Sequence, residues 1–502
     1  NTMNFILSND SNLWYSSTTN GIIVVNRKNL KSYYHNQPGS CLTCVGDNDI
    51  LGFTKDNANN VWVFNRSYGI SVCAPYTHQI KVKKWENFNV DYYNASDQVI
   101  PVSQIIAKSN HLVYFSSLKG ISVYDYRKDS ILPNISFGNK NDDKNVLLFK
   151  FAKNNTIEFG RTTKRSPYNS QFTIYNESTK QLNDIESTHQ IFSVNFKNDS
   201  IDGSYVFSQS FSNLLKFNYT TQKFDTVFNF PEGKIPLPSN GLKLKNNNLF
   251  FYLANGGFMI FNEKTKKIRT YRQKGFDVEF NARMINSTFY TKRNTILIGT
   301  EKNLFEFDIE KETFTDHSKI MGLEKYNVFN VFEDRFGIIW FTGPKEIIRY
   351  NVKEKKYSVI NKKITSTNLF FFKSNNHPIT AFDEDYIFLP NKKGLTFFNT
   401  ATFKLPENKP IISIYELTVN DSLFNIQDSI LEFKHYQNNI QFKFITDEIY
   451  RPSLGSFSYQ LIGLDSKIKE LKSNEIDLQN VPAGNYKLKV FYKNTFGVYA
   501  NE

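Results

Sequence analysis

The stretch VFEDRFGIIWFTGPKEIIRYN, residues Val331 to Asn351, is the clearest copy of a unit that recurs along most of the chain. It reads as an apolar strand, the polar turn EDRFG, a second strand, the short turn PKE and a third strand. The second strand, Ile338 to Thr342, carries apolar or aromatic side chains on both faces, so both faces need to be covered. Neighbouring copies of the same small sheet can provide that cover. The stretch therefore predicts a repeated structure.

The same pattern recurs eight more times with a steady spacing. The residues that precede the last apolar strand of each copy are Gly21, Gly69, Gly120, Gln171, Asn213, Gly257, Asn303, Glu346 and Gly394. Their average spacing is about 47 residues, close to the length of a four-stranded propeller blade. The repeat predicts nine blades of the β-propeller type.

The composition favours an all-β chain. Aromatic residues make up 16% of the 502 residues, and the 47 Phe and 28 Tyr are typical of strands. The sequence contains no run of eighteen apolar residues, and its first residues lack the basic start and cleavage pattern of a signal peptide. We therefore expect no membrane span in these residues.

The repeats and their linkers predict three domains. We expect residues 1–95 to hold the last blades of an N-terminal propeller, residues 96–405 a seven-bladed ring, and residues 406–502 an immunoglobulin-like β-sandwich with a truncated C-terminus. A less patterned connector, Lys81 to Pro101, marks the first seam. A single nine-bladed ring is the alternative. The first blade opens partway through its first strand, so we expect the chain to belong to a larger protein.

The charge and the metal-binding residue types exclude some functions. The net charge of +13 suggests an anionic partner, but the lysines recur with the repeat, as expected of outer strand edges, and predict no nucleic-acid surface. The seven histidines are scattered, and Cys41, Cys44 and Cys73 have no zinc-like partners. We expect no metal and no cofactor. The disulfide state of the three cysteines stays open.

Tryptophans divide into two groups. Trp14, Trp62 and Trp340 share one position in the repeat, which indicates packing between blades. Trp85 lies outside the repeat, in the basic connector, and we expect it to be an exposed aromatic residue able to stack on a sugar.

The least repeat-like stretch inside a blade is GRTTKRSPYNSQ, Gly160 to Gln171, in which the middle turn is expanded. It brings Arg161, Lys164, Arg165 and Tyr168 close together in the sequence. Guanidinium forks match carboxylate and sulfate oxygens, so this loop is the predicted binding site for an oligosaccharide, and for an anionic one in particular.

A propeller enzyme is a weaker alternative. A lyase or glycosidase would need converging carboxylates, for which the candidates are Glu333, Asp334, Asp383, Glu384 and Asp385. The repeat places them in turns, where acidic side chains usually bond their own backbone. The sequence therefore favours a non-catalytic chain.

The blade EDRFGIIWFTGPKEIIRYN resembles the regulator propeller repeat, and Ser456 to Gly497 resembles the triple-tyrosine domain that follows such propellers in hybrid two-component sensors. The linker GLTFFNTATFKLPENKPIISIYELTVN also follows that order. The resemblance implies a periplasmic sensor region that binds glycan fragments and controls polysaccharide-utilisation genes. It further implies a homodimer through the C-terminal region, and an inner-membrane tether beyond Glu502 that leads to a cytoplasmic histidine kinase. A secreted scaffold or adhesion protein would use the same fold without a membrane helix.

Overall fold

The structure, a computed structural model, describes most of the chain. The described residues are 6–8, 12–17, 21–30, 32–35, 48–55, 61–67, 69–73, 79–88, 105–108, 111–117, 120–135, 144–152, 156–163, 166–185, 191–193, 196–197, 205–208, 213–230, 238–253, 256–272, 278–279, 284–323, 325–361, 381–383, 385–391, 394–404, 409–426, 430–447, 456–494 and 500. Contacts divide the chain into a first unit, Asn1–Gln79, Tyr357–Asn368 and Phe403–Glu502, and a second unit, Ile80–Lys356 and Leu369–Thr402. Nearly every regular element is a strand, which confirms the all-β class.

The first unit begins with two small antiparallel sheets. Their strands are β1 (Ile6–Ser8), β2 (Asn12–Ser17), β3 (Gly21–Asn26) and β4 (Ser32–His35), then β5 (Ile50–Lys55), β6 (Val61–Asn65) and β7 (Gly69–Cys73). Ile22 and Val24 of β3 form one core with Val61 and Val63 of β6, and Trp14 packs against it. The two sheets are therefore packed as neighbouring blades, and Trp14 serves the packing role that the repeat predicts.

The second unit contains seven consecutive meanders, called blades 1 to 7, whose strands are named a to d in sheet order. Blades 1 to 4 comprise β9 (Ile105–Lys108), β10 (Leu112–Ser117), β11 (Gly120–Asp125), β12 (Ser130–Ile135), β13 (Lys144–Ala152), β14 (Thr156–Thr163), β15 (Ser166–Asn176), β16 (Leu182–Ile185), β17 (Ile191–Ser193), β19 (Tyr205–Ser208), β20 (Asn213–Asn218), β21 (Lys223–Asn229), β22 (Pro238–Lys243), β23 (Asn248–Leu253), β24 (Phe258–Asn262) and β25 (Ile268–Arg272). Two short strands, β18 (Phe196–Lys197) and β26 (Val278–Glu279), pair in parallel with β22 and β25. Pairing of Ser170 with Ile191 joins blades 2 and 3 into one sheet.

Blades 5 to 7 complete the series. Their elements are β27 (Ile285–Tyr290), β28 (Thr295–Thr300), β29 (Leu304–Asp308), β30 (Thr313–Asp316), the helix α1 (His317–Met321), β31 (Asn330–Glu333), β32 (Ile338–Thr342), β33 (Glu346–Asn351), β35 (Ala381–Asp383), β36 (Tyr386–Asn391) and β37 (Gly394–Asn399). The strand β34 (Lys356–Asn361) follows β33 at the boundary between the two units.

Blade 7 takes its outer strand from the other end of the second unit. The strand β8 (Lys81–Lys84), called the closing strand, lies before blade 1 in the sequence and pairs antiparallel with β37. Blade 7 therefore contains both ends of the seven-blade series, which joins them into one ring. The described pairings thus place the closing strand, which lies before residue 95, in the same sheet as β35, β36 and β37. The domain bounds 1–95, 96–405 and 406–502, and the choice between a seven-bladed and a nine-bladed ring, stay predictions.

The turn between strands c and d is built the same way along the chain. An Asn or Asp that ends strand c accepts hydrogen bonds from backbone N–H groups two and three residues later, as at Asn26, Asp125, Asn176, Asn218, Asn262, Asp308 and Asn351. The fourth residue after it has a φ of 53° to 60°, as at Leu30, Asp129, Lys180, Gln222, Lys266, Glu312 and Lys355. Asn and Asp favour this turn because their side chains replace backbone acceptors.

The a–b turn of blade 6, EDRFG, is held by one carboxylate. Oδ1 of Asp334 accepts from the backbone nitrogens of Phe336 and Ile338 at 2.9 and 3.0 Å, and Oδ2 accepts from Nε1 of Trp340 at 2.8 Å. Gly337 has a φ of 77°, which suits glycine. The ring of Trp340 is buried and lies 5.1 Å from that of Phe398 in blade 7. This contact confirms the packing between blades predicted for Trp340.

The C-terminal part of the first unit is a β-sandwich. One sheet has the order β39 (Ser422–Leu423), β38 (Ile412–Val419), β40 (Ile440–Thr446) and β43 (Glu475–Leu478), and the other has the order β42 (Asp465–Leu471), β41 (Ser456–Ile462) and β44 (Lys487–Lys493). Leu417 and Phe444 of the first sheet share a buried core with Phe457 and Tyr492 of the second. The alternating pattern of the sequence thus gives two facing sheets, as predicted.

Candidate functional site

The hairpin that carries the predicted basic cluster is longer than the sequence suggests. β14 and β15 have 8 and 11 residues and pair along most of their length. Arg161 lies in β14 opposite Gln171, and Tyr168 lies in β15, whereas Lys164 and Arg165 fall outside the described residues. The expected long turn is wrong over most of its length, because its Thr and Tyr residues favour strand despite the Ser, Pro and Asn between them. The binding role of these four residues stays a prediction.

Trp85 is buried, so the prediction of an exposed stacking residue is wrong. It begins a 3-10 helix, Trp85–Phe88, directly after the closing strand, and only 1% of its surface is exposed. Its Nε1 donates to the backbone oxygen of Asn391 at 2.8 Å, and its ring lies 5.7 Å from that of Phe88 and 5.8 Å from that of Phe115. The closing strand carries Trp85 into the core between blades 7 and 1, which removes the reason for proposing it as a ligand contact.

The order of the strands sorts the loops of the ring into two ends. In an antiparallel meander, the b–c turn and the link to the next blade lie at one end of the sheet, and the a–b and c–d turns lie at the other. We call the first of these the bc end. The connection between β14 and β15 is a b–c turn and thus belongs to this end. The described loops of the bc end are the b–c turns of blades 5 and 6 and the segment around α1.

Two carboxylates at the bc end of blades 5 and 6 are occupied by neutral donors. Asp316 caps α1 by accepting from the backbone nitrogen of Lys319 at 3.0 Å, and its Oδ2 accepts from Nδ2 of Asn303 at 2.7 Å. Oε1 of Glu346 accepts from the hydroxyl of Tyr326 at 2.6 Å. Burial and the charge of Glu346 raise the pKa of Tyr326, so its hydroxyl stays a donor at neutral pH.

Three exposed lysines surround these carboxylates in the sequence. Lys302 lies in the b–c turn of blade 5, Lys319 in α1 and Lys325 in the link to blade 6, and none of them forms an ion pair within the described ranges. These lysines stand beside the carboxylates of Glu301, Asp316 and Glu346 at the same end, so the described residues here carry little net charge. The repeat did not group these lysines, because a b–c turn, a helix and a link between blades occupy different positions in it. The strand order, which sends every b–c turn to one end, was the signal that could have found them.

The acidic residues considered for catalysis have structural roles wherever the structure describes their side chains. Glu333 pairs with an arginine of blade 5, Asp334 holds its own turn, and Asp385 pairs with an arginine of blade 6 at 2.8 Å. Asp383 lies in β35 and Glu384 lies outside the described residues. These three carboxylates lie at or near the a–b turns, away from the bc end. Only Asp334 has the turn-holding role that the repeat predicts, whereas Glu333 and Asp385 pair with arginines of neighbouring blades.

A polar network, buried at its carboxylates and histidine and exposed at its arginine, links blades 5 and 6. Arg293 pairs with both Glu306, at 2.8 Å, and Glu333, while Glu306 also bonds His317 at 2.7 Å and Thr295 at 2.6 Å. Burial acts to raise the pKa of Glu306, but the hydrogen bonds from His317, Thr295 and Arg293 outweigh it and lower the pKa to about 2. Burial raises the pKa of Glu333. The arginine between the two carboxylates makes this a structural network, which the sequence did not reveal because its members come from separate turns and strands.

The remaining predictions concern metals, cysteines and membranes. Among the ranges that the structure describes, no group of three or more His, Cys, Asp or Glu side chains could hold a metal ion. Cys73 ends β7, and Cys41 and Cys44 lie outside the described residues, so their disulfide state stays open. The described helices include none long and apolar enough to cross a membrane.

Known proteins provide two kinds of similarity. Residues 450–501 match the Y_Y_Y domain family. The chain is similar to the extracellular domain of the proposed hybrid two component system BT3049 from B. thetaiotaomicron, with a TM-score of 0.76 and 16% identity over 100% of this chain and 66% of that one. The extracellular domain of the proposed hybrid two component system BT4673 from the same organism gives a TM-score of 0.49 and 14% identity over 100% of this chain and 68% of that one. No curated protein sequence matches the chain.

The first similarity confirms the triple-tyrosine domain that the sequence predicts. The second, at 16% identity, concerns the fold, and the chain spans just under two thirds of the matched extracellular domain, 66% of its length. The chain thus has the propeller-and-sandwich fold of the extracellular domain of BT3049, and it carries a Y_Y_Y domain at residues 450–501.

Proposed function

We propose that this chain is the ligand-sensing region of a membrane-bound hybrid two-component histidine kinase and regulator. The observation that carries the proposal is the succession of a closed seven-bladed ring and a Y_Y_Y domain in the fold of an extracellular sensor domain. In the full-length protein this non-catalytic region lies in the periplasm. It is tethered beyond Glu502 through the inner membrane to a cytoplasmic kinase that controls polysaccharide-utilisation genes.

The proposed ligand is an oligosaccharide, bound at the bc end of the ring. Propeller strands are committed to packing, so recognition falls to the loops at one end. The β14–β15 hairpin supplies Arg161, Lys164, Arg165 and Tyr168 near a b–c turn. The exposed lysines of blades 5 and 6 lie at the same end of their own sheets. The basic residues of the hairpin favour an anionic sugar with carboxylate or sulfate groups.

The first test removes the two arginines of the hairpin. The double variant Arg161→Ala and Arg165→Ala should bind an anionic oligosaccharide at least about tenfold more weakly, because each lost charge-assisted hydrogen bond contributes about 1.5–3 kcal/mol. The loss should be larger at low salt, where screening is weak. A heparin octasaccharide, an oligogalacturonate and a neutral dextran oligosaccharide are first compared by thermal shift. Calorimetry then gives the affinity for the sugar that stabilises the chain.

The matched control removes the same charge from the other end of the blades. Lys264 and Lys353 lie in the c–d turns of blades 4 and 6, and the double variant Lys264→Ala and Lys353→Ala should bind like the original chain. If both double variants bind the oligosaccharide equally weakly, the loss of affinity comes from the lower net charge of the chain and not from the hairpin. Preference for the neutral dextran, or unchanged affinity in the arginine variant, would remove the hairpin from the site.

We also propose that the C-terminal sandwich joins two copies of the chain in a homodimer. Three large side chains support this role: Ile411, directly before β38, Tyr415 in β38 and Ile445 in β40 are 53%, 54% and 52% exposed. Ile445 pairs opposite Ser413, two residues from both Ile411 and Tyr415, and the register shifts at Tyr415, between Ile414 and Glu416. An exposed apolar face of this kind is typical of a contact surface, and a shift between protomers can transmit a signal.

Sedimentation velocity tests the dimer. The original chain should sediment as a dimer at about 100 μM, and Ile445→Lys should shift it to monomer by burying a charge in the interface. The control Leu423→Lys changes a residue on the separate strand β39, 79% exposed, and should leave the dimer intact. A chain that stays monomeric at that concentration, with and without the oligosaccharide, would contradict the proposal.

A further inference from the structure

The cores between neighbouring blades are built from the same residue types. Phe, Tyr, Ile and Leu side chains fill both the core that blades 7 and 1 share with the closing strand and the core between blades 4 and 5. Apolar packing has no preferred direction and depends mainly on the area that is buried. It therefore does not by itself determine which blade lies beside the closing strand.

The positive-φ residue of the c–d turn reaches back to the preceding blade. In blade 1 this residue is Asp129, which accepts a hydrogen bond from Nζ of Lys83 in the closing strand at 2.7 Å. In blade 5 it is Glu312, which pairs with Arg269 in β25 of blade 4. The same turn position thus contacts the outer strand of the blade before it, and in both cases the contact joins opposite charges.

The charge at this turn position differs from blade to blade. It is acidic in blades 1 and 5, whereas blades 2, 4 and 6 have Lys180, Lys266 and Lys355. The side chain of Lys266 also reaches back, and its Nζ donates to the backbone oxygen of Val227 in blade 3 at 3.1 Å. The turn position therefore distinguishes blades whose apolar cores are similar.

The closing strand carries two lysines, Lys81 and Lys83, on one of its faces, because they are two residues apart. Oδ1 of Asp129 accepts from Nζ of Lys83 and from the hydroxyl of Tyr124, both at 2.7 Å. The Lys83 side chain is 21% exposed, and its Nζ lies 5.8 Å from the centre of the Tyr124 ring. Partial burial acts to raise the pKa of Asp129, but these two hydrogen bonds and the charges of the lysines outweigh it and lower the pKa.

We propose that Asp129 selects blade 1 as the neighbour of the closing strand and thereby determines where the ring closes. Attraction within a partly exposed ion pair adds only modestly to stability. Its larger effect is on the wrong arrangements, because a blade with a lysine at this position would place a second cation beside the mostly buried Lys83. Asp129 is thus a positioning residue that specifies one neighbour among similar blades.

Reversing the charges tests the proposal by hydrogen exchange of the closing-strand amides, after the 502-residue chain is refolded from urea. Asp129→Lys should lower their protection at least about tenfold, because like charges then face each other. The backbone accepts this change, since Lys180 and Lys266 have a φ of 60° and 58° at the same turn position. Adding Lys83→Glu to Asp129→Lys restores opposite charges and should return protection to within about threefold of the original chain.

The matched control is Glu312→Lys, which changes the net charge by the same amount at the same turn position of blade 5. It should weaken the contact with Arg269 and leave the closing strand as protected as in the original chain. Salt provides a second control. At about 1 M NaCl, where charges are screened within about 3 Å, the loss in Asp129→Lys should become smaller.

Three results would overturn the proposal. The closing strand could stay fully protected in Asp129→Lys, the double variant could be no better protected than Asp129→Lys, or Glu312→Lys could expose the closing strand equally. If Asp129→Lys does not fold, the double variant decides: a folded chain with a protected closing strand supports the charge pair, and a second failure to fold contradicts it. The test is independent of ligand binding and of the proposed sensor function.

Discussion

Replacing Trp85 by alanine should lower the free energy of unfolding of the seven-bladed ring by about 3–5 kcal/mol, the range for a large aromatic residue removed from a core. The side chain is 1% exposed, packs against Phe88 and Phe115, and donates a hydrogen bond to Asn391. Its loss leaves a cavity beside the closing strand. The effect is large because this residue anchors the strand that joins the two ends of the ring.

Urea denaturation followed by hydrogen exchange measures this effect. The amides of the closing strand and of β37 should lose protection before those of blade 4, since the cavity lies at the seam. Trp85→Phe keeps most of the apolar surface and should cost less. Phe336→Ala removes an aromatic ring that is 54% exposed and should change stability by only about 0.5 kcal/mol. A loss below about 1 kcal/mol for Trp85→Ala would show that the closing strand does not depend on this anchor.

Asp334→Ala should destabilise the ring by about 2–4 kcal/mol, because it removes three hydrogen bonds and leaves a buried indole nitrogen without its acceptor. The three donors are the backbone nitrogens of Phe336 and Ile338 and Nε1 of Trp340. The carboxylate accepts from that indole nitrogen at 2.8 Å. The turn should therefore loosen together with the packing between blades 6 and 7.

A double-mutant cycle separates these contributions. Trp340→Phe removes the indole donor, so Asp334→Ala should cost about 1–2 kcal/mol less in that background than in the original chain. Glu354→Ala serves as the control, because Glu354 is an exposed acidic residue in the c–d turn of the same blade. Additive effects in the cycle would mean that the bond between Asp334 and Trp340 contributes nothing to stability.

The sequence by itself was sufficient to predict the strands and turns of a blade and the two-sheet structure of the sandwich. The turn EDRFG is determined locally. Asp334 bonds Trp340, and Gly337 supplies the positive φ, all within seven residues. The c–d turn is similarly local, with an Asn or Asp at its start. Local patterns repeated at a steady interval predict a repeated sheet, and strict alternation in the C-terminal strands predicts a sandwich.

The candidate site could be predicted only in part. The basic residues of the hairpin were visible in the sequence, but the expected loop around them is mostly strand, because pairing with the neighbouring strand overrides local turn signals. Lys302, Lys319 and Lys325 were not recognised. Their common location depends on which turns the strand order sends to the same end of the sheet.

Sequence alone determined what a blade is, since its turns and its apolar alternation act between residues close together in the chain. Only the tertiary structure decided where the ring closes and what becomes of Trp85. That residue bonds Asn391 across 306 positions of sequence, and its surroundings come from blades at both ends of the ring. Burial of this kind depends on which strands, distant in sequence, pack together, and the local periodicity of the sequence does not specify that packing.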